Sequence, residues 1–181
     1  LVDKHQFITR NGAKPGDVIF VTGQLGRAGL ALDHFRAKKN LLNAEDEQQV
    51  IPYMQKPTAR VSEALAVKSY LSASIDISDG LAADLSHVLD QSEVGAEIKF
   101  NQIPVAPILY QYYSPYKALD VALYNGDDYE LIWVVKQECL EPFQKTIPFL
   151  TIPVTRIGEI TNKKTKKIFA KTGFEHFKND R

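Results

Sequence analysis

The chain has 181 residues, is 44% hydrophobic, and balances 22 basic against 22 acidic residues for a formal net charge of zero. That length supports one domain with a sizeable core, and the charge balance argues against a nucleic-acid surface, which needs a basic excess. No apolar run approaches the roughly 20 residues of a membrane span, no secretory signal opens the chain, and a lone Cys139 cannot close an internal disulfide, which fits a reducing cytosol.

Strands and helices alternate along the chain. Residues 18–21 read as a short apolar strand, and Gly23, Gly26 and Gly29 turn it into a helix running to about Lys38. These glycines invite a phosphate-loop interpretation, but they lack the Gly-Lys-Ser/Thr ending of a P-loop and the dinucleotide G-x-G-x-x-G order. A tight turn and close helix packing are the expectation. Residues 40–43 form a polar connection, and residues 45–54 a short helix. Pro57-Thr58-Ala59-Arg60 opens a further helix over residues 61–70. Arg60 there either meets a phosphate or is solvated, as arginines at helix starts more often are.

The strand that follows ends in Ser74-Ile75-Asp76-Ile77-Ser78-Asp79-Gly80-Leu81. Leu81, Leu85, Val88 and Leu89 recur at helical spacing, which puts Ser78 or Asp79 near the first turn of a helix. Free backbone N–H groups and a partial positive charge at such an end suit phosphate oxygens. Carboxylates beside it suit Mg²⁺, a hard cation that shares oxygen ligands with substrate phosphates. Simple N-capping by Ser78 or Asp79 is the competing explanation. It leaves Asp76 unexplained, because a carboxylate in a buried strand is costly unless it is paired, coordinated or at the strand's exposed end. Asp84 reads as a surface or helix-capping acid. The four histidines show no paired metal spacing, which disfavours zinc.

Gly95 is expected to end this helix and residues 96–100 to form a strand, after which a loop over residues 103–107 leads into a tyrosine-rich helix. Asn125-Gly126-Asp127-Asp128-Tyr129-Glu130 marks a turn with carboxylates just ahead of a second apolar strand over residues 130–136. Its plainer alternative is a solvated acidic turn. A helix over residues 138–145, with Cys139 as a packing residue, precedes a hairpin of residues 155–160 with 167–170. Lys163, Lys164, Lys166 and Lys167 read as its exposed turn. These elements describe a single α/β (α+β) domain.

Residues 75–85 resemble the I-D-I-S-D-G-L-x-x-D-L motif of the thiamine-monophosphate kinase family, in the superfamily of aminoimidazole ribonucleotide synthetase and selenophosphate synthetase. Four further segments resemble that family in the same order. Residues 11–26 are similar to S-G-A-K-P-G-D-x-I-x-V-T-G-x-L-G, and residues 53–61 to Y-x-x-P-x-P-R-V, with Lys56-Pro57 and Arg60-Val61 in register. Residues 125–131 are similar to G-G-E-D-Y-E-L and residues 173–177 to G-x-x-H-F.

The resemblance implies a mixed-sheet domain like the C-terminal domain of that superfamily. It also implies ATP-dependent phosphorylation of thiamine monophosphate to thiamine diphosphate by direct, Mg²⁺-assisted transfer. No side chain need act as a covalent catalyst. Asp76 and Asp79 would then hold Mg²⁺, Ser78 and Arg10 would contact ATP, and Asp127 and Phe174 would contact thiamine. The guanidinium of Arg10 suits phosphate oxygens, and the ring face of Phe174 suits a cationic thiazolium. Asp127 departs from the family Glu by one methylene, and Asn125 replaces a Gly. The family places a metal-binding, dimer-forming domain ahead of this region. Residues 1–181 are therefore expected to be the C-terminal part of a cytoplasmic, homodimeric kinase, inactive alone. Another ATP-using chemistry of the superfamily, or a non-catalytic binding role for the isolated chain, stays open beside it.

Overall fold

Residues 7–162 are described by the computed structural model. Phe174, the Lys163, Lys164, Lys166 and Lys167 turn, and the second arm of the expected hairpin lie outside them. β1 (Val18–Thr22) is buried along its whole length. Its Val-Ile-Phe-Val-Thr sequence suits a pleated strand covered on both faces. With β2 (Leu71–Asp76), β3 (Gly95–Ile98), β4 (Leu131–Val135) and β5 (Val154–Thr161) it forms a five-stranded sheet in the order β2-β4-β1-β5-β3.

The four pairings of these strands are all antiparallel. β1, β2 and β3 therefore run in one direction, and β4 and β5 slot between them in the other. This narrows the mixed sheet expected above. The helical crossovers join strands that are not neighbours, and parallel pairing among the described residues is confined to an isolated bridge between Leu25 and Val105. Beyond β2 the sheet edge is covered, since Ser74 N donates to the carbonyl of Thr9 at 3.1 Å.

Helices α1 (Arg27–Arg36), α2 (Ala44–Gln55), α3 (Val61–Val67), α4 (Leu81–Ser92), α5 (Leu109–Tyr112), α6 (Pro115–Tyr124) and α7 (Leu140–Thr146) lie around the sheet. Asn43 starts α2 by accepting from the amides of Glu45 and Asp46, an N-cap supported by acids in the first turn. The tyrosine-rich segment is two helices, α5 and α6. Tyr113 is extended, Ser114 accepts from Lys117 N, and Pro115 occupies the first helical position. A proline there disfavours helical backbone in the residue before it and so breaks the run. α4 ends at Ser92 because Glu93 turns left-handed (φ 56°), so Gly95 begins β3 instead of capping the helix. Cys139 closes the 3-10 turn Gln137–Cys139 ahead of α7 and is half-buried.

Alternation along β4 sends Ile132 and Val134 to one side of the sheet and Trp133 and Val135 to the other. The first pair packs with Ile19, Val21, Leu81, Leu85 and Leu123, joining β1 to α4 and α6. The second pair packs with Val18, Phe20, Val67 and Phe143, under α3 and α7. A third core of Leu30, Val50, Leu109 and Val121 unites α1, α2, α5 and α6. The glycine turn serves this packing: Gly26 caps α1 at φ 97°, and a Cβ on Gly29 would stand 2.8 Å from Val121 Cγ1 of α6. None of the described helices is long and apolar enough to cross a membrane.

Phe143 is fully buried, with ring centroids of Phe20, Trp133 and Tyr70 at 4.8, 6.1 and 6.2 Å. Phe143→Ala is expected to lower the unfolding free energy by about 3–5 kcal/mol in urea denaturation. Truncating the exposed Phe149 should change it by less than about 0.5 kcal/mol.

Candidate functional site

The two acidic segments singled out in the sequence meet at one end of the sheet. β2 ends where β4 begins, with Asp76 opposite Leu131, and the pairing continues past the strands. Ile77 N donates to Glu130 O at 2.8 Å, Tyr129 N to Ile77 O at 2.9 Å, and Asp127 N to Ser78 O at 3.0 Å. Gly126 is required by this approach, because a Cβ there would lie 2.0 Å from Ser78 O.

Neither Ser78 nor Asp79 caps α4. Its N-cap is Gly80, at φ 107°, with no side-chain capping bond. Asp84, in the first turn of the helix, reaches back instead: its Oδ2 accepts from Ser78 N at 3.0 Å and Asp79 N at 2.9 Å. Capping therefore does not account for Ser78 or Asp79, whose side chains stay available. Asp79 is exposed, and Asp76 and Ser78 are half-buried. Asp84 is not a surface acid, being 2% exposed. Burial pushes its carboxyl above the usual carboxylate range, and the charges of Asp79 and Asp76 add to that, against the pull of the two amides. The carboxylates of this corner thus feel one another.

Residues 125–130 are sorted by alternation. Asp127 and Tyr129 face outward with left-handed backbones, at φ 66° and 50°, a conformation costly for non-glycine residues. Asp128 and Glu130 face inward and are buried. Asp128 accepts from Gly26 N at 2.7 Å and Ala28 N at 3.2 Å, so it caps α1 from a distant segment. Glu130 accepts from Arg60 Nη2 at 2.5 Å, from Arg60 Nε at 2.9 Å, and from Thr22 Oγ1 at 2.7 Å. Arg60 is thus not simply solvated: one side of its planar fork is used on a buried carboxylate.

Asp76 and Tyr129 also line a cavity of about 320 Å³ with Arg60, Val61 and Leu131. The structure brings Asp76, Ser78, Asp79 and Asp127 into one neighbourhood. Arg10 arrives on a separate segment: its carbonyl accepts from Ser92 Oγ at the end of α4, and its neighbour Thr9 accepts from Ser74 N, two residues before Asp76 on β2. Asp84, Asp128, Glu130 and Arg60 carry site geometry that sequence reading missed. The one signal for them was the inward phase of the alternation at Asp128 and Glu130. His87 also approaches: Asp79, Asp84 and His87 offer ligand atoms all within 4.8 Å of one another.

A set of exposed oxygen donors on a strand-to-helix corner, beside a half-open apolar cavity, can hold a hard cation and the oxygens of a phosphorylated ligand. The chain belongs to the AIR synthase related protein family, C-terminal domain, whose profile matches residues 14–171. It is 36% identical over 186 residues to a thiamine-monophosphate kinase of Buchnera aphidicola subsp. Schizaphis graminum, covering 98% of this chain and 58% of that relative. Among solved structures, it is similar to thiamine-monophosphate kinase from Stenotrophomonas maltophilia K279a, with a TM-score of 0.82, 32% identity, and coverage of 90% of this chain and 52% of the other. It is also similar to AaThiL complexed with AMPPCP and TMP, with a TM-score of 0.71, 34% identity, and coverage of 87% and 49%. The chain thus spans roughly half the length of these relatives.

Two outcomes test this architecture. Arg60→Met should cost about 3 kcal/mol of stability by leaving Glu130 buried without its partner, and adding Glu130→Leu should recover part of that loss in a double-mutant cycle. Burial pushes the Asp128 carboxyl from 3.8 up to about 6. A raised carboxyl contributes stability that is fully present below the lower value and lost as pH rises through the upper one. Between those two pH values the parent should lose about 3 kcal/mol relative to Asp128→Asn, read by urea denaturation across pH.

Proposed function

We propose that these residues form the C-terminal domain of a kinase that transfers the γ-phosphoryl group of ATP to thiamine monophosphate, giving ADP and thiamine diphosphate. The observation that carries this is the meeting of Asp76, Ser78 and Asp79 with Asp127 at one end of the sheet, with Ser78 and Asp79 released from helix capping. The likeness to relatives named thiamine-monophosphate kinase, and to a protein complexed with AMPPCP and TMP, supports the choice of substrates.

In the reaction, an oxygen of the acceptor phosphate attacks the γ-phosphorus, the new P–O bond forms, and the bond to the ADP oxygen breaks. A phosphate monoester oxygen needs little deprotonation near neutral pH, so positioning and charge neutralisation carry the catalysis. The donor set fits Mg²⁺: Asp76 and Asp79 supply hard carboxylate oxygens from one strand-to-helix corner. Bound there, Mg²⁺ would supply charge stabilisation to the transferring phosphoryl group. Ser78 donates to a nucleotide oxygen. Asp127 faces outward to the thiamine, its shorter side chain compared with the family Glu bridged by water or by a slightly closed pocket. The cavity beside Asp76 and Tyr129 offers apolar room for the organic part of a substrate.

Phe174 and Arg10 are assigned on the family resemblance, Phe174 to the thiamine ring and Arg10 to the nucleotide. A homodimer formed through a preceding domain, and a cytoplasmic location, belong to the same proposal. The test is ADP release by the full-length enzyme with thiamine monophosphate as acceptor. Asp76→Asn and Asp79→Asn should each lower acceptor-dependent turnover by on the order of 100-fold, the scale of losing one preorganised electrostatic partner. Turnover that survives both changes would return the pair to a structural role. ADP release without acceptor dependence would point to another ATP-using chemistry of the superfamily.

A further inference from the structure

The first turn of α4 carries a buried acid to which the proposed reaction gives no task. Asp84 is 2% exposed, and one of its oxygens accepts from both Ser78 N and Asp79 N. These amides belong to the residues whose side chains contact nucleotide and metal in the proposed function. The bond pair closes across Gly80, whose φ of 107° lets the loop fold back over the first turn of α4. A side chain gripping two consecutive amides fixes the backbone direction of both residues. It thereby sets where the Ser78 hydroxyl and the Asp79 carboxylate point.

The rival role is direct ligation, since Asp79, Asp84 and His87 could close on one ion. Two observations weigh against it. Asp84 Oδ2 already accepts from two donors, so ligation would fall to Oδ1 alone, on a residue only 2% exposed. His87 would bring a nitrogen donor, which suits zinc, copper or nickel better than the hard cation that phosphoryl transfer uses.

We propose that Asp84 is a positioning residue for the cation- and phosphate-binding loop, acting through the amides of Ser78 and Asp79 and not by touching the metal. This rests on the proposed function, because the loop has a metal to position only if Asp79 binds one. Partners of this kind commonly govern metal affinity nearly as strongly as the ligands do.

The experiment uses the full-length protein, with Mn²⁺ as the probe cation, followed by calorimetric titration, and with amide hydrogen exchange read at Ser78 and Asp79. The Mn²⁺ binding that disappears in Asp79→Asn defines the signal of this site. Asp84→Ala should weaken that binding about tenfold or more and deprotect both amides. Asp84→Asn keeps an oxygen acceptor on the same stem, so it should keep both amides protected and hold Mn²⁺ within about threefold of the parent. His87→Ala should leave Mn²⁺ affinity at the parent value. Asp84→Asn losing Mn²⁺ as severely as an alanine would, with its amides still protected, would overturn the proposal in favour of ligation. So would a comparable loss in His87→Ala. These two arms decide the matter even if Asp84→Ala does not fold. Unchanged Mn²⁺ binding in Asp79→Asn would instead remove the metal assignment, and the positioning role with it.

Discussion

The backbone pairing of Ile77 with Tyr129 and Glu130 is the constraint on which the rest of the site depends. It lengthens the ladder between β2 and β4 past the end of both strands, so two loops remote in sequence share one rigid frame. Loops that carry function are usually supported at their ends only; here the support runs through the loop itself. The left-handed backbones at Asp127 and Tyr129 cost on the order of 1 kcal/mol each. That cost is offset by anchoring the residues between and after them, Asp128 on the start of α1 and Glu130 on Arg60.

Burial divides the acids of this corner into two groups. Asp84, Asp128 and Glu130 are buried, and each accepts at least two hydrogen bonds from amides, a hydroxyl or a guanidinium. A buried carboxylate is tolerated only on such terms. Asp76, Asp79 and Asp127 keep access to solvent. The first group holds the frame, and the second is left for ligands. Burial is what chiefly raises the Asp84 carboxyl, with the charges of Asp79 and Asp76 adding to it, and groups perturbed in this way gather at functional sites.

Much of the secondary structure was legible in the sequence. β1, α4 and β4 follow from dense apolar residues at strand or helix spacing, and the short helix read over residues 45–54 stands as α2. Local chemistry also explains where the expectations failed. Pro115 acts on the backbone of the residue before it, which splits the tyrosine-rich helix although the apolar pattern runs on. Glu93 adopts the left-handed turn that Gly95 was expected to supply, because the helix ends by its backbone bonds and not by the nearest glycine.

The sequence by itself determined the chemical alphabet of the site: Asp76, Ser78 and Asp79 at a strand-to-helix corner, and Asp127 ahead of a strand. Motif and spacing are local properties, and a single chain displays them. Only the tertiary structure decided which acids are available and which are consumed. Asp84 looked like a surface acid until the turn at Gly80 folded the loop onto it, and Arg60 looked solvated until β4 placed Glu130 within reach. Solvent exposure and hydrogen-bond partners are set by segments far apart in the chain, here residues 60 and 130, and no local pattern encodes a meeting at that distance.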